Sequence, residues 1–250
     1  MTWRELAISR RAARAIERQL AYQRAKAAHL KGHETEKMAA MALHSRQVRG
    51  RIEAVRPVSD AARVLEVGSG AHGLIFFFGT EGGVGIDPLA DHYAALFPAW
   101  QDRARTIAGY GEKLPFADAS FDLVLCDNVV DHAENPRRIL EEISRVLAPG
   151  GLLYFTVNVH HPFYHVAASA HAGWRALGLG LEITPFADHT VHLTLDSARD
   201  LFAGLPLTTL SERDTVSETR RAHGPTRHAG DRLKRLFFKN ALYERIAAKA

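Results

Sequence analysis

A glutamate placed just ahead of a glycine-rich turn is the residue most suggestive of chemistry. The segment reads Val-Leu-Glu-Val-Gly-Ser-Gly-Ala-His-Gly at positions 64–73, so Glu66 precedes Gly68 inside an otherwise apolar run. Glycines let a chain turn sharply off a strand and let backbone N–H groups approach a ligand closely. A carboxylate at this place repels a pyrophosphate and attracts a cation. We therefore expect the turn to bind a positively charged ligand.

The same glycines also satisfy a dinucleotide fingerprint, which keeps a second interpretation open. Gly68, Gly70 and Gly73 have the spacing G-x-G-x-x-G, and Asp87 lies about where a ribose-binding acid is expected. A nicotinamide-dependent oxidoreductase is therefore one alternative function. Glu66 disfavours it, because a phosphate cofactor needs the turn free of negative charge.

Short apolar runs that alternate with helical stretches must position these residues. The runs predict buried parallel strands at 64–67, 83–86, 104–107, 121–126 and 152–157, and two further strands at 207–213 and 236–240. Residues 136–147 have apolar side chains at helical spacing and are followed by Pro149-Gly150-Gly151. The pattern predicts an α/β fold, a Rossmann-like doubly wound and mostly parallel seven-stranded sheet that binds its ligand at the carboxyl edge.

The chain before the first strand has a different pattern. Apolar residues between Trp3 and Val55 follow helical spacing and are interrupted at Gly32, which predicts two or three helices. We expect an N-terminal helical extension at 1–56 and a Rossmann-like domain at 57–250. The extension could close over the ligand site, and residues 162–195 are interpreted either as a cap over the pocket or as ordinary packing.

Composition limits where the protein works. The single cysteine, Cys126, lies in an apolar run and cannot form an internal disulfide, which fits a reducing compartment. The N-terminus lacks the apolar core of a signal peptide, and no window has the roughly 18 apolar residues that a membrane span needs. We expect a cytoplasmic protein without a transmembrane segment.

Charge is distributed unevenly along the chain. Residues 1–56 hold 13 Lys/Arg against 5 Asp/Glu, residues 57–212 hold 9 against 19, and residues 213–250 hold 10 against 4. The basic flanks could attract a phosphorylated or CoA-linked substrate, a nucleic acid or a membrane surface. An RNA-binding or RNA-modifying protein is thus a further alternative. A solvated helical face is favoured over nucleic acid, because no aromatic residues are interleaved to stack on bases.

Six short motifs in a fixed order point to a known family. They are Val-Leu-Glu-Val-Gly-Ser-Gly at 64–70, Gly-Ile-Asp-Pro at 85–88, Gly-Glu-Lys-Leu-Pro-Phe at 111–116, Ser-Phe-Asp-Leu-Val at 120–124, Asn-Val-Val-Asp-His at 128–132 and Arg-Val-Leu-Ala-Pro-Gly-Gly at 145–151. From about Val64 to Val157 the chain resembles the class I S-adenosylmethionine-dependent methyltransferases of the type 11 small-molecule group. The resemblance implies S-adenosyl-L-methionine as cofactor and methyl transfer to a small organic or carrier-linked acceptor, which the basic flanks would suit if it is anionic.

The resemblance also implies a set of cofactor-binding residues. Asp87 would accept hydrogen bonds from both ribose hydroxyls, since a carboxylate has two acceptor oxygens. The whole set comprises Glu66, Gly68, Ser69 and Gly70 near the methionine and ribose, Asp87 at the ribose, Pro88, Tyr110, Gly111 and Glu112 near the adenine, and Asp127 and Asn128 at the end of the fourth strand. Two positions depart from the family pattern: His72 replaces a glycine, which could reshape the turn, and Tyr110 replaces an aspartate.

Histidines are the candidates for acting on the acceptor. A general base is needed only if the acceptor must lose a proton. His161, in a polar and aromatic loop after the fifth strand, and His132, at a position where the family commonly has histidine, are the predicted catalytic residues, with packing or capping as the alternative. His189 and His192 beside Asp188 do not predict a metal site, because residues three apart on a strand face opposite sides. The atom that is methylated and the oligomeric state stay open.

Overall fold

Strands and helices alternate along the chain as the apolar pattern predicts. The computed structural model describes residues 10–30, 32–163, 191–221, 238 and 240–250. The strands are β1 (Arg63–Val67), β2 (Gly82–Asp87), β3 (Arg105–Ala108), β4 (Phe121–Asp127), β5 (Leu147–Val159), β6 (Leu207–Asp214) and β7 (Ala241–Lys249). The helices are α1 (Arg10–Leu30), α2 (Glu34–Glu53), α3 (Ala90–Leu96), α4 (Pro98–Gln101), α5 (Pro136–Val146), α6 (Leu195–Asp200) and α7 (Val216–Arg221). Short 3-10 helices cover Leu74–Phe77 and Val130–His132.

The strands form one sheet in the order β3-β2-β1-β4-β5-β7-β6. Pairings among β1 to β5 are parallel, and β7 runs antiparallel to both β5 and β6. The Rossmann-like, mostly parallel fold predicted from the sequence is confirmed. The strand order reverses at β1, which has β2 on one side and β4 on the other, and ligands bind open α/β sheets at the carboxyl ends of strands beside such a reversal.

The last strand lies later in the chain than the sequence predicts. The prediction for 236–240 falls partly outside the described residues, but Phe238 and Asn240 precede β7, which begins at Ala241. Glu244 and Arg245 interrupt the apolar run in the middle of β7, so the apolar pattern did not predict the strand there. Both are buried, because Glu244 pairs with Arg51 and Arg213 while Arg245 pairs with Glu212.

Helices cover both faces of the sheet. The α5 helix begins at Pro136, where the Asn135 side chain accepts a hydrogen bond from the Arg138 N–H at 3.0 Å, as expected of an N-cap. Its apolar stripe packs on one face of the sheet together with the side chains of Leu65, Val67, Val124, Cys126, Leu153 and Phe155. The other face is covered by α2, α3 and the 3-10 helix at Leu74–Phe77.

The predicted helical extension packs directly on the sheet. Its two helices are separated at Gly32, whose φ of 94° is left-handed and suits glycine. In α2, Val48 and Ile52 are fully buried against the sheet core, and Arg51 donates to the hydroxyl of Tyr154 and to Glu244. The α2 helix is therefore held in a fixed position, whereas the domain boundary at 56/57 stays a prediction.

None of the helices within the described ranges is long and apolar enough to cross a membrane. Cys126 is buried in β4, as its apolar surroundings predict, and burial raises the pKa of its thiol. A buried thiol of this kind is held in its neutral form.

Candidate functional site

A cavity of about 370 Å³ opens at the carboxyl edge of the sheet, beside β1 and β4. We call its β1, turn and β4 residues the sheet wall, which consists of Glu66, Gly68, Ser69, Gly70, Ala71, His72, Gly73, Leu74, Asp127 and Asn128. We call Gln23, Lys26 and Met41, contributed by α1 and α2, the helical wall. The predicted glycine turn and the ends of the predicted strands thus meet in one cavity.

A second, open depression of about 450 Å³ lies at the opposite edge of the sheet, where β4 begins and β5 has its Pro149-Gly150 turn. Ligands of open α/β sheets bind at the carboxyl edge, so the smaller cavity is the candidate site.

Glu66 lies beneath the turn and organises it. Its side chain is buried, and its two carboxylate oxygens accept hydrogen bonds from the N–H groups of Leu74 at 3.0 Å and Ile75 at 2.9 Å, where a 3-10 helix begins. Gly73 packs so closely on Glu66 that a Cβ there would overlap the carboxylate. Burial, with help from the nearby Asp127 and Asp87, raises the pKa of Glu66 to about 8. Any cation in the cavity would favour its ionised form.

The backbone donors of the turn already have partners within the protein. The N–H groups of Gly68 and Ser69 bond to the carbonyl oxygen of Ile86 at 2.8 and 3.2 Å. The Gly70 N–H bonds to Asp87 at 3.0 Å. A pyrophosphate bound in the dinucleotide manner needs such donors free and a helix N-terminus facing it. The geometry therefore opposes the oxidoreductase alternative.

Asp87 ends β2 next to the turn. Its Oδ2 accepts from the Gly70 N–H at 3.0 Å and its Oδ1 from the Leu89 N–H at 2.8 Å. Burial raises the pKa of Asp87. Each oxygen retains acceptor capacity, so the carboxylate can still receive a pair of hydroxyl groups. Pro88 follows on the exposed side.

The remaining predicted adenine-side residues follow β3. The Gly109 N–H bonds to the carbonyl oxygen of Asp87 at 3.2 Å, which brings this segment beside β2. Burial and the acidic groups of Glu112, Glu134 and Asp87 raise the pKa of Tyr110. At Gly111 a side chain would press on Val67 and Ile139. Asp87, Pro88, Tyr110, Gly111 and Glu112 thus lie along the sheet edge next to the cavity and do not line it.

The end of β4 carries an acid that faces the N-terminal helices. Asp127 Oδ1 accepts from the Thr156 hydroxyl at 2.5 Å, and its Oδ2 lies 3.8 Å from Nε2 of His44 on α2. The neighbouring Asn128 has a left-handed φ of 55°, and its side-chain oxygen accepts from the Asn158 N–H at 3.0 Å. The sequence predicted Asp127 and Asn128 at this edge and missed His44.

His72, one of the two departures from the pattern of the family that the sequence resembles, packs against aromatic rings. Its ring meets those of Phe97 and Trp100 edge-on, with centroids 4.5 and 4.4 Å apart. Its Nδ1 lies 3.4 Å from Lys26 Nζ. Burial, Lys26 and Lys37 lower the pKa of His72 to about 3, so the imidazole is neutral. The histidine therefore shapes the turn by linking it to α1 and the region of α3 and α4.

Several buried polar atoms around the cavity lack a partner within the described ranges. They are Gln23 Oε1 on the helical wall, and Ser69 Oγ and His72 Nε2 on the sheet wall. Buried polar atoms in native proteins are almost always hydrogen-bonded, and exceptions need an explanation. A polar ligand in the cavity supplies one.

The predicted catalytic histidines lie outside the described lining of the cavity. His132 is exposed, with Nε2 3.9 Å from Asp131 Oδ2. His161 accepts a hydrogen bond at Nδ1 from the Phe163 N–H, and its ring lies edge-on to Phe238. His192 is buried with its ring 5.3 Å from that of His160, while Asp188, His189 and most of the predicted cap at 162–195 fall outside the described residues.

Comparison with known proteins finds a family whose model matches part of the chain. The family described as "Methyltransferase domain" matches residues 65–155. Thiol S-methyltransferase TMT1B of Rattus norvegicus is 32% identical over 124 residues, which cover 47% of this chain and 51% of that protein. An uncharacterized methyltransferase of Mycolicibacterium gilvum is 38% identical over 100 residues, covering 38% of this chain and 39% of that protein. The chain thus spans about half or less of the curated relatives it matches.

Solved structures share the fold at low identity. YcgJ of Bacillus subtilis superposes with a TM-score of 0.58 and 18% identity, covering 82% of this chain and 98% of that one. Geranyl diphosphate C-methyltransferase of Streptomyces coelicolor, solved with Mg²⁺, geranyl diphosphate and S-adenosyl-L-homocysteine, gives a TM-score of 0.56 and 15% identity, covering 82% of this chain and 77% of that one. At this identity the likeness establishes the fold alone.

Proposed function

We propose that this protein binds S-adenosyl-L-methionine and transfers its methyl group to a small-molecule acceptor, because residues 65–155 match the family described as "Methyltransferase domain". The observation that carries the proposal is the state of the turn: carboxylates of Glu66 and Asp87 occupy backbone donors that a pyrophosphate would need. When bound, the cofactor supplies a methyl group on a sulfonium, a leaving group that needs no further activation.

The sheet wall and the adjoining strand ends would hold the cofactor. Asp87 is suited to the ribose hydroxyls because both of its oxygens retain acceptor capacity. Glu66 is suited to the cationic end, since a positive charge in the cavity stabilises its ionised form. The remaining proposed contacts are those of Gly68, Ser69 and Gly70 with the methionine and ribose, of Pro88, Tyr110, Gly111 and Glu112 with the adenine, and of Asp127 and Asn128 at the β4 end.

The partnerless atoms of the cavity fit such a ligand. Ser69 Oγ can donate or accept, and Gln23 Oε1 and neutral His72 Nε2 add further polar atoms to the lining of the cavity. A purely apolar ligand would leave these atoms unsatisfied at a cost of about 1–3 kcal/mol each. The lining therefore favours a polar, charged cofactor end.

The acceptor side is proposed to lie at the ends of β4 and β5, where His44 faces Asp127. Because Nε2 lies 3.8 Å from the Asp127 carboxylate, Nδ1 of His44 can take a proton from the acceptor, and the charge of Asp127 stabilises the imidazolium that forms. His44 is also partly exposed, so an acceptor can reach it. His161 and His132 remain proposed acceptor-side residues on the loop after β5 and the 3-10 helix after β4.

We favour a small thiol as the acceptor. A relative carries the name thiol S-methyltransferase, and a thiol with a pKa of about 8.5 can be deprotonated near neutral pH by a histidine. A hydroxyl acceptor is far less acidic than a thiol and needs a stronger base to remove its proton. A carrier-linked or anionic acceptor is the alternative that the basic flanks support.

The test is a product assay with S-adenosylmethionine and a panel of small alkyl and aryl thiols, their alcohol analogues and a CoA-linked acid. We expect a methyl thioether and S-adenosylhomocysteine in equal amounts, with little product from the alcohols. Product from the CoA-linked acid alone would contradict the thiol proposal, and absence of S-adenosylhomocysteine with every acceptor would contradict methyl transfer to this class of molecule. We further propose a cytoplasmic location and a domain boundary between residues 56 and 57.

A further inference from the structure

Among the residues that the structure describes, Lys26 has no acidic partner in the lining of the cavity. It lies on α1, is half-buried, and has Nζ 3.4 Å from the neutral His72. Burial and Lys37 lower its pKa, and among the described residues no carboxylate contributes to that pKa. A buried charge is expensive unless an opposite charge or hydrogen bonds compensate it. The position therefore favours a ligand that brings a negative group.

Gln23 lies one helical turn before Lys26, and both face the cavity. Gln23 is buried, with 6% of its surface exposed, and its Oε1 has no hydrogen-bond partner within the described ranges. An amide oxygen accepts hydrogen bonds, so it suits a donor such as an ammonium group. The helical wall thus offers a cationic donor and a neutral acceptor side by side.

The two walls differ in charge in the way that a zwitterion requires. The acidic groups Glu66 and Asp127 line the sheet wall, and Lys26 is the charged residue of the helical wall. Asp87 and the residues proposed to hold the ribose and adenine lie outside the cavity along the sheet edge. The cavity itself is thus left for the other end of the cofactor, where a carboxylate and an ammonium share one carbon.

We infer that α1 is part of the cofactor site: Lys26 binds the carboxylate of the amino-acid end of the cofactor, and Gln23 Oε1 accepts a hydrogen bond from its ammonium group. This inference rests on the proposed function. It makes Lys26 a specificity-determining residue that separates S-adenosylmethionine and S-adenosylhomocysteine from adenosine thioethers that lack the amino acid.

The experiment is calorimetric titration of the full chain with S-adenosylhomocysteine and with 5′-deoxy-5′-methylthioadenosine, which keeps the nucleoside and thioether but has no amino acid. In Lys26→Met the affinity for S-adenosylhomocysteine should fall about 10- to 100-fold, the range for losing a charged hydrogen-bond partner, while methylthioadenosine binding stays within twofold. Gln23→Leu should show the same selectivity with a smaller loss. The matched control Arg24→Met, exposed on the same helix, should change neither affinity.

Folding does not confound the result, because Lys26 has no described counter-ion and methionine removes the cost of burying its charge. A check by circular dichroism should give an unfolding midpoint no lower than that of the parent. Equal losses for the two ligands, or no loss for either, would overturn the inference. If the parent chain binds neither ligand, the proposed function fails instead, so the two failures are distinguishable.

Discussion

The sheet wall and the helical wall of the cavity are built by different means. Residues of the sheet wall sit at the ends of parallel strands and on the turn between them, so topology brings Glu66 and Asp127 together. Residues of the helical wall come from α1 and α2, and they reach the cavity only because the helices pack across it. The sheet wall is acidic, whereas the helical wall carries Lys26.

The sheet wall therefore holds the features common to the fold, whereas the helical wall can determine which ligand this chain binds. Strand ends hold their side chains rigidly, which suits contacts that are the same for every substrate. The cavity-facing residues of α1 and α2 take no part in strand pairing, so they can change without altering the sheet. Single substitutions can separate the contributions of the two walls.

Replacing His44 tests whether the helical side takes part in chemistry. His44→Ala should lower kcat for a thiol acceptor about 100-fold or more, the usual contribution of a general base, while the affinity for S-adenosylhomocysteine stays within twofold. The measurement is steady-state kinetics across pH, where the variant should gain rate as the thiol ionises by itself. His92→Ala, exposed on α3, is the control.

The same assay distinguishes the other histidines. If His161→Ala or His132→Ala lowers kcat more than His44→Ala does, the base lies on the loop after β5 or on the 3-10 helix, and the helical side has no role in proton transfer.

Replacing Asp87 tests the sheet edge. Asp87→Ala should weaken both S-adenosylhomocysteine and methylthioadenosine by about 1–3 kcal/mol, since both ligands contain the ribose. Lys26→Met, by contrast, should affect only the first. Calorimetric titration measures both, with the exposed Asp91→Ala as control. A loss confined to S-adenosylhomocysteine would show that Asp87 contacts the amino-acid end and that the two walls are assigned wrongly.

Replacing Glu66 tests the charge of the sheet wall through pH. The pKa of about 8 means that the carboxyl is mostly protonated at pH 7, so cofactor affinity should rise about tenfold between pH 7 and 9 as it ionises. Glu66→Gln should bind more weakly at pH 9 and show a flat profile over the same interval. Titrations in buffers of different ionisation enthalpy should detect proton release on binding in the parent alone. If the parent and Glu66→Gln show the same dependence of affinity on pH, the proposed contact of Glu66 with the cationic end of the cofactor is wrong.

The same pKa has a consequence for folding. Because the folded pKa lies above the ordinary value of 4.5, the unfolded chain releases the Glu66 proton first, and stability falls as pH rises from about 4.5 to 8. Glu66→Gln lacks this loss, so the difference in unfolding free energy between the variant and the parent should shift in favour of the variant between about pH 4.5 and 8. Thermal unfolding without ligand measures it.

Replacing Arg51 tests how much the hydrogen bonds between α2 and the sheet contribute to stability. Arg51→Met removes the bonds from α2 to Glu244 and Tyr154, but Glu244 keeps Arg213, so the unfolding free energy should fall by only about 1–2 kcal/mol. Urea unfolding measures this loss, with the exposed Arg46→Met as control. Cofactor affinity should change less than threefold. A much larger loss of affinity would mean that the position of α2 limits binding.

The sequence alone predicted most strands of the sheet and most residues of the sheet wall. Buried parallel strands leave continuous apolar runs, and a glycine turn after such a run marks the ligand edge, so the strands from β1 to β5 and the residues from Glu66 to Asn128 could be placed. The β7 strand was misplaced because its buried charges are paired only in the folded chain. The local sequence pattern does not show which distant residues will pair with these charges.

The helical wall could not be predicted residue by residue. Helical spacing indicated α1 and α2, but which face meets the cavity depends on how they pack against the sheet and α3. Gln23 and Lys26 of this wall, and His44 outside it, therefore looked like ordinary residues of polar helices. The role of Glu66 also needed the structure, because its bonds to Leu74 and Ile75 show that it supports the turn from below.

The most direct test of the central claim is a binding titration of the full chain with S-adenosylhomocysteine and, separately, with NADH. We expect saturable one-to-one binding of S-adenosylhomocysteine and no measurable binding of NADH, because the Ile86 carbonyl and the Asp87 and Glu66 carboxyl groups occupy the backbone donors of the turn and of the 3-10 helix after it. Saturable binding of NADH with none of S-adenosylhomocysteine would contradict it.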